Sequence, residues 1–341
     1  MKTVAFASPG KMELREAPDP TPAAGEVVID VSHCGICGSD LHEYASRGPS
    51  MRAAGLFQPV MGHEFTGIVA AVGSGVASHR EGDAVVVHPG GSCGDCYYCN
   101  SGLSNLCADQ QGTGYRRAGA YAEFCAVRAD QALPLPDTSW LEKAALTEPF
   151  GVALRAINRG ALQPGETVFI AGGGPIGQLS VIAAKRKGAA TIVVSEVAES
   201  RRELALRLGA GHAIDPATSA SLQMRELTKG LGADLSVEAV GIAPTMDDCI
   251  ASTRRGGRIV VAGAFEQPYP VNLLALLIQE QSIAGTFGYA AEFTEARDLI
   301  CSGAVDVSPL ISRTVSLDQL TATFEEITQD RNKYQKVLVR P

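Results

Sequence analysis

The run ETVFIAGGGPIGQLSV, residues 166–181, decides the architecture of the second half of the chain and orders the rest around it. It begins β-rich and apolar, continues through Gly172, Gly174 and Gly177 in G-x-G-x-x-G spacing, and then opens a helical pattern. In that strand–turn–helix setting the three glycines serve, in order, a tight turn, close approach of the backbone to a pyrophosphate, and close helix–strand packing. The helix N-terminus, with Pro175 and Ile176 in its first turn, carries the anion. Glu196 stands at the end of TIVVSE, nineteen residues beyond Gly177. A carboxylate there accepts hydrogen bonds from ribose hydroxyls and repels a 2′-phosphate, which favours NAD over NADP. Arg201 and Arg202 follow closely and leave room for a phosphate there, with Arg201 as a further cofactor contact.

Outward from this run the pattern alternates. TIVVSEV, DLSVEAVG, GRIVVAGAF and QSIAGTFGY read as strands, with ESRRELALRLGAG as an amphipathic helix among them. Near-continuous apolar strands divided by helices indicate a parallel sheet covered on both faces. Before residue 150 the reading is different: VVIDVSHCG, TGIVAAVGSGV, GDAVVVHP and AEFCAVRAD are short β-rich runs parted by Gly, Pro and Asp, and this half reads as a twisted barrel. LPLPDTSW ends it, and WLEKAALTEPFGVALRAINRG then reads as helix. The stretch after about 291, with EFTEARDLICSG and LDQLTATFEEITQD, is expected to pack back on the first half.

Size and charge narrow the class. At 341 residues two domains are expected. With 29 Lys and Arg against 37 Asp and Glu the net charge is −8, and no basic block stands out, so a nucleic-acid or anionic-membrane partner is disfavoured and a small-molecule substrate favoured. The start, MKTVAFASPGKMELREAPDP, lacks an apolar signal core, and no long apolar run follows, so the expected location is the cytoplasm.

Four of the nine cysteines, Cys93, Cys96, Cys99 and Cys107, crowd into GSCGDCYYCNSGLSNLC. Their C-x2-C-x2-C-x7-C spacing can close a tetrahedral thiolate cage around a structural zinc, with no open position for a substrate. Cys34, Cys125, Cys249 and Cys301 lack such spacing and read as core residues. A second ligand set lies upstream: Cys37 in HCGICGSDLHEY, and the His63–Glu64 pair in VMGHEFTG. Thiolate and imidazole suit zinc, and the carboxylate completes or supports the shell.

With Cys37-Gly-Ser39-Asp40-Leu-His42, Gly62-His63-Glu64, the four-cysteine loop and Gly172–Gly177 in this order, the chain resembles the zinc-dependent medium-chain alcohol dehydrogenases over nearly its full length. CGICGSDLHEY and TEPF are most similar to the sorbitol and 2,3-butanediol dehydrogenase branch. The resemblance implies an α/β protein, with a GroES-like mainly-β catalytic domain at 1–152 and 291–341 and a Rossmann doubly wound parallel-sheet domain at 153–290. It implies NAD, two zincs per chain, and a homodimer or homotetramer. The catalytic zinc falls to Cys37 and His63, with Glu64 and Glu148 at acidic positions that hold the metal directly or through its water; Glu148 stands where a second cysteine falls in a two-cysteine, one-histidine site. Ser39 and His42 fall at the proton-relay positions, and Asp40 orients a neighbour such as His63.

The implied reaction is hydride transfer between NAD and a secondary alcohol or polyol, with L-threonine 3-dehydrogenase and sugar dehydrogenase activities as alternatives within the family. A zinc-ribbon module with a nucleotide-sensing domain is the alternative of another class, opposed by the acidic charge and the upstream ligand set. Tyr44, Phe57, Phe150 and Phe265 read either as substrate-lining aromatics or as core.

Overall fold

The computed structural model describes residues 1–45 and 59–341. Two compact units divide the chain: Met1–Glu148 with Phe293–Pro341, and Pro149–Glu292.

The first unit is built on a seven-stranded sheet whose central strand is Glu26–Gly35. On one side it pairs antiparallel with Glu64–Val72, from Val27↔Val72 to Gly35↔Glu64. On the other it pairs antiparallel with Phe124–Arg128 along its first half and with the C-terminal strand Lys336–Arg340 at its end, where Leu338 meets Gly35 and Val339 meets Cys34. Ala84–Val87 and Ala132–Pro134 extend the sheet beyond Glu64–Val72, and Ile311–Ser316 extends it beyond the C-terminal strand. The expected barrel is thus, among the described residues, a sheet path with two ends. Its VVI and VVV runs are buried because neighbours cover both faces.

Helix Leu317–Gln329 seals this sheet. Leu317, Leu320, Phe324 and Ile327 recur at helical spacing and are the buried residues of that face, while a Ser316–Gln319 capping box satisfies the free N–H groups at its start. Phe324 packs edge-on against Tyr44 and Tyr121, at ring separations of 5.3 and 5.9 Å. Tyr44 is therefore packed in the core of the first unit, and Phe150 is fully buried. Phe265 packs against the core of the second unit, and Phe57 lies outside the described residues.

The second unit carries a six-stranded sheet, parallel throughout, in the order His212–Ile214, Thr191–Ser195, Thr167–Ala171, Ala233–Glu238, Thr253–Val261, Ser282–Gly285. Numbered along the chain that order is 3-2-1-4-5-6, the doubly wound dinucleotide-binding arrangement. Its reversal point lies between Thr167–Ala171 and Ala233–Glu238, so the glycine run after Ala171 emerges there. The short edge strand His212–Ile214 was not legible as a strand because it is three residues long.

No described helix is long and apolar enough to cross a membrane. Phe324→Ala should lower unfolding free energy by about 3–5 kcal/mol, since it empties a packed aromatic site; urea titration of the first unit's unfolding checks this.

Candidate functional site

The four-cysteine loop folds through a short helix, Tyr97–Asn100, and a single 3-10 turn, Ser104–Leu106, which return the chain so that Cys107 faces Cys93. The sulfurs of Cys96 and Cys99 and those of Cys107 and Cys93 lie 3.5 Å apart, and those of Cys93 and Cys99 3.9 Å. All four lie within 4.8 Å of one another, and none is in a disulfide. Zinc–sulfur bonds of about 2.3 Å in a tetrahedron would set sulfurs roughly 3.8 Å apart, so the donor set fits a zinc without rearrangement. Tyr97 on the same loop is exposed, so the thiols do not converge through core packing. The thiols titrate together, Cys96 lowered chiefly by the Cys99 backbone N–H and Cys93 raised chiefly by its bond to Asp95.

A second convergence joins Cys37, His63 and Glu64, whose ligating atoms also lie within 4.8 Å of one another. Strand pairing produces it. Cys37 follows strand Glu26–Gly35, His63 precedes strand Glu64–Val72, and Gly35 is the cross-strand partner of Glu64. Gly35 has to be glycine: a Cβ there would lie 2.1 Å from Glu64 Oε2.

Asp40, in the first turn of helix Gly38–Ala45, lies beside both Cys37 and His63. Its Oδ2 accepts from the Cys37 backbone N–H at 3.1 Å and from the Tyr121 hydroxyl at 2.6 Å, and its Oδ1 lies 3.6 Å from His63 Nδ1. Burial depresses the His63 imidazolium, but Asp40 and then Cys37 outweigh it and raise its pKa to about 10. The imidazole is buried with its ring 4.6 Å from that of Tyr115, a neighbour that sequence reasoning missed because nothing in GTGYRR resembles a ligand motif.

Sequence reasoning also missed Lys336, whose ammonium donates to both carboxylate oxygens of Glu64, at 2.9 and 2.7 Å. A lone lysine opening the apolar strand KVLVR was the only available signal. Ser39 Oγ is buried without a hydrogen-bond partner among the described residues, and His42 follows three residues later on the same helix, partly exposed. Glu148, in the first turn of helix Thr147–Arg159, falls outside the three-residue cluster but is buried within electrostatic reach of it. Burial, then the Glu148 charge, pushes the Tyr115 phenol up, and Glu148 also contributes to the rise at His63.

In the second unit Gly172 adopts φ 102°, open to glycine but strained for other residues, and a Cβ on Gly177 would lie 1.9 Å from the Gly172 carbonyl oxygen. Gly174 caps helix Pro175–Arg186, with Pro175 in its first turn; Gly174, Pro175 and Ile176 keep part of their surface exposed. Glu196 closes the loop from the next strand. Its Oε2 accepts from Gly173 N–H at 2.7 Å and its Oε1 from Ala198 N–H at 2.9 Å. The Arg201 guanidinium lies 4.0 Å from the same carboxylate. Arg202 donates to the carbonyls of Glu196 and Val197 and pairs with Asp215 at 3.4 Å, so its charge is already engaged.

Comparison with known proteins agrees with this geometry. Residues 23–137 match the family described as alcohol dehydrogenase GroES-like domain, and residues 175–302 match that described as zinc-binding dehydrogenase. Sorbitol dehydrogenase of Bacillus subtilis is 36% identical over 345 residues, covering 100% of this chain and 97% of its own. The crystal structure of 2R,3R-butanediol dehydrogenase from Bacillus subtilis superposes with a TM-score of 0.89 at 30% identity, covering 100% of this chain and 99% of that one. A zinc-binding dehydrogenase structure from Sinorhizobium meliloti, bound to NADP, superposes at 0.90 with 30% identity, covering 100% and 99%. A cysteine–histidine–glutamate cluster, a four-thiolate loop and a doubly wound nucleotide sheet in one chain, matched end to end by such relatives, place it in the zinc-dependent medium-chain alcohol dehydrogenase family, whose members are oxidoreductases that use a nicotinamide cofactor.

Proposed function

We propose that the chain transfers hydride between NAD and a secondary alcohol or polyol of the 2,3-butanediol or sorbitol type, using one catalytic and one structural zinc. The observation that carries this reading is the convergence of Cys37, His63 and Glu64 in a chain that also presents the glycine loop and Glu196. Cys37, His63 and Glu64 are the residues that would hold the catalytic metal, with Glu148 at its margin. When bound there, zinc supplies Lewis-acid polarisation that lowers the pKa of an alcohol hydroxyl. Nicotinamide, when bound, supplies the hydride acceptor.

The chain's own residues do the rest. Asp40 Oδ1 stands 3.6 Å from His63 Nδ1, so its negative charge faces the side of the imidazole away from the metal position and would strengthen a ligating ring. For the alcohol proton the relay would run from Ser39, whose Oγ is buried and has no hydrogen-bond partner among the described residues, toward His42, partly exposed on the same helix. Backbone N–H groups at the start of helix Pro175–Arg186 receive the pyrophosphate, and Glu196 receives the ribose hydroxyls. Its negative charge, with Arg202 already committed elsewhere, favours NAD over NADP. Cys93, Cys96, Cys99 and Cys107 hold the structural zinc, which ties down a loop that has little core of its own.

We further propose that the protein assembles with copies of itself. Helix Leu273–Gln279 exposes Leu273, Leu274, Leu277 and Ile278, and the neighbouring strand Ser282–Gly285 is an open sheet edge. Such a pair of features is characteristic of an interface.

Metal analysis should find close to two zincs per chain, and Cys37→Ala or His63→Ala should retain one, bind NAD normally and lose turnover; comparable turnover in either variant would refute the assignment. Glu196→Ala should weaken NAD by roughly 10–100-fold and narrow the preference over NADP, as expected for a lost charge-assisted contact. Initial rates against 2,3-butanediol, sorbitol, threonine and glucose should be highest on one of the first two; a clear preference for threonine or glucose would reassign the substrate.

A further inference from the structure

Lys336 is the feature of the metal cluster that the proposed reaction leaves unused. It lies 272 residues from Glu64 in the chain, yet it is 3% exposed and the carboxylate 1%. Its ammonium donates to Glu64 Oε1 at 2.9 Å, to Glu64 Oε2 at 2.7 Å and to the Ile36 carbonyl at 3.0 Å, which uses all three of its donors. Strand register explains the meeting. The C-terminal strand joins Glu26–Gly35 at Leu338↔Gly35, and the opposite edge of that same residue faces Glu64. Because Gly35 has no side chain, the Glu64 carboxylate occupies the space where its Cβ would be. Two short contacts from one ammonium to both oxygens of a single carboxylate make this a buried ammonium–carboxylate pair.

The same carboxylate thus meets an ammonium while standing within ligating distance of Cys37 and His63. We propose that Lys336 is a positioning residue of the catalytic metal centre: it fixes Glu64 beside Cys37 and His63 and shares its negative charge with the metal, so that the carboxylate binds zinc less tightly than an unpaired one. This rests on the proposed metal site at Cys37, His63 and Glu64. The electrostatic logic is direct. A thiolate and a carboxylate by themselves neutralise a divalent cation, and Asp40 and Glu148 add further negative charge nearby. A buried ammonium restores the positive character that draws a proton from an alcohol. It also competes for Glu64: in the metal-free protein the lysine satisfies a carboxylate that would otherwise be a buried, unpaired charge.

Removing the lysine therefore has a signature that a merely structural residue would not give. In the full-length, zinc-loaded chain, K336M should slow transfer of the catalytic zinc to a chromogenic chelator by about tenfold or more and lower kcat by roughly 10–100-fold, the range of outer-shell partners of metal ligands. The gap in Tm between zinc-loaded and zinc-free protein should widen, because only the zinc-free form is left with the unpaired carboxylate. K336R should keep release and turnover near wild type, and K336M/E64Q should close the widened gap. Cobalt substituted at the site should show a shifted visible spectrum in K336M. Zinc release as fast as or faster than wild type, or an equal loss of Tm in both forms, would overturn the proposal and leave Lys336 a structural residue. If the methionine variant does not fold, K336Q reads the same two arms. A wild-type chain carrying only the four-cysteine zinc would overturn the underlying metal-site reading as well, and that result is seen before any variant is made.

Discussion

The first unit depends on one strand, Glu26–Gly35, being hydrogen-bonded along both edges. Its end is where three distant parts of the chain meet: Cys37 just beyond it, His63 and Glu64 from one neighbour, and Lys336 from the other. Backbone register is rigid and all-or-none, since a one-residue slip would turn each of these side chains to the opposite face. The cluster is therefore placed by sheet pairing rather than by loops, which suits a site that has to hold ligating atoms within a fraction of an ångström. Gly35 is the point of contact, small enough for a carboxylate to lie across it.

The second constraint is electrostatic. Asp40, His63, Glu64 and Lys336 are all buried, and charges removed from water are tolerable only when paired. The observed pairing is a chain of partners: Tyr121 and the Cys37 N–H on Asp40, Asp40 facing His63, and Lys336 on Glu64. Each of these charged groups thus faces a partner, and the donor atoms of Cys37, His63 and Glu64 lie within 4.8 Å of one another. The four-cysteine loop is a different case, since its exposed tyrosines bring little packing and its four sulfurs still lie within 4.8 Å of one another.

In the second unit the sheet order does for the nucleotide what register does for the metal. Placing the first strand beside the fourth sets the glycine loop at the reversal point, and Glu196 from the adjacent strand locks that loop by accepting the Gly173 N–H. One carboxylate thereby both shapes the turn and supplies the negative charge that a ribose hydroxyl can use.

The residue types of the chemistry were readable along the chain because their spacing is local. C-x2-C-x2-C-x7-C, G-x-G-x-x-G and the amphipathic repeat of 317–329 each encode their geometry within a few turns of backbone. Cys37, His63 and Glu64 were recognisable as ligand types, and the alternation after residue 164 implied a parallel sheet. What tertiary structure alone decided was which of these meet and what stands behind them. Lys336 reaches Glu64 across 272 residues, the Tyr115 ring lies 4.6 Å from that of His63, and Tyr44 and Phe150 are buried. Glu148, matched by type to Glu64, lies outside the tight cluster. The physical reason is that a short motif fixes its own backbone, whereas a buried ion pair depends on strand register between segments that only folding brings together.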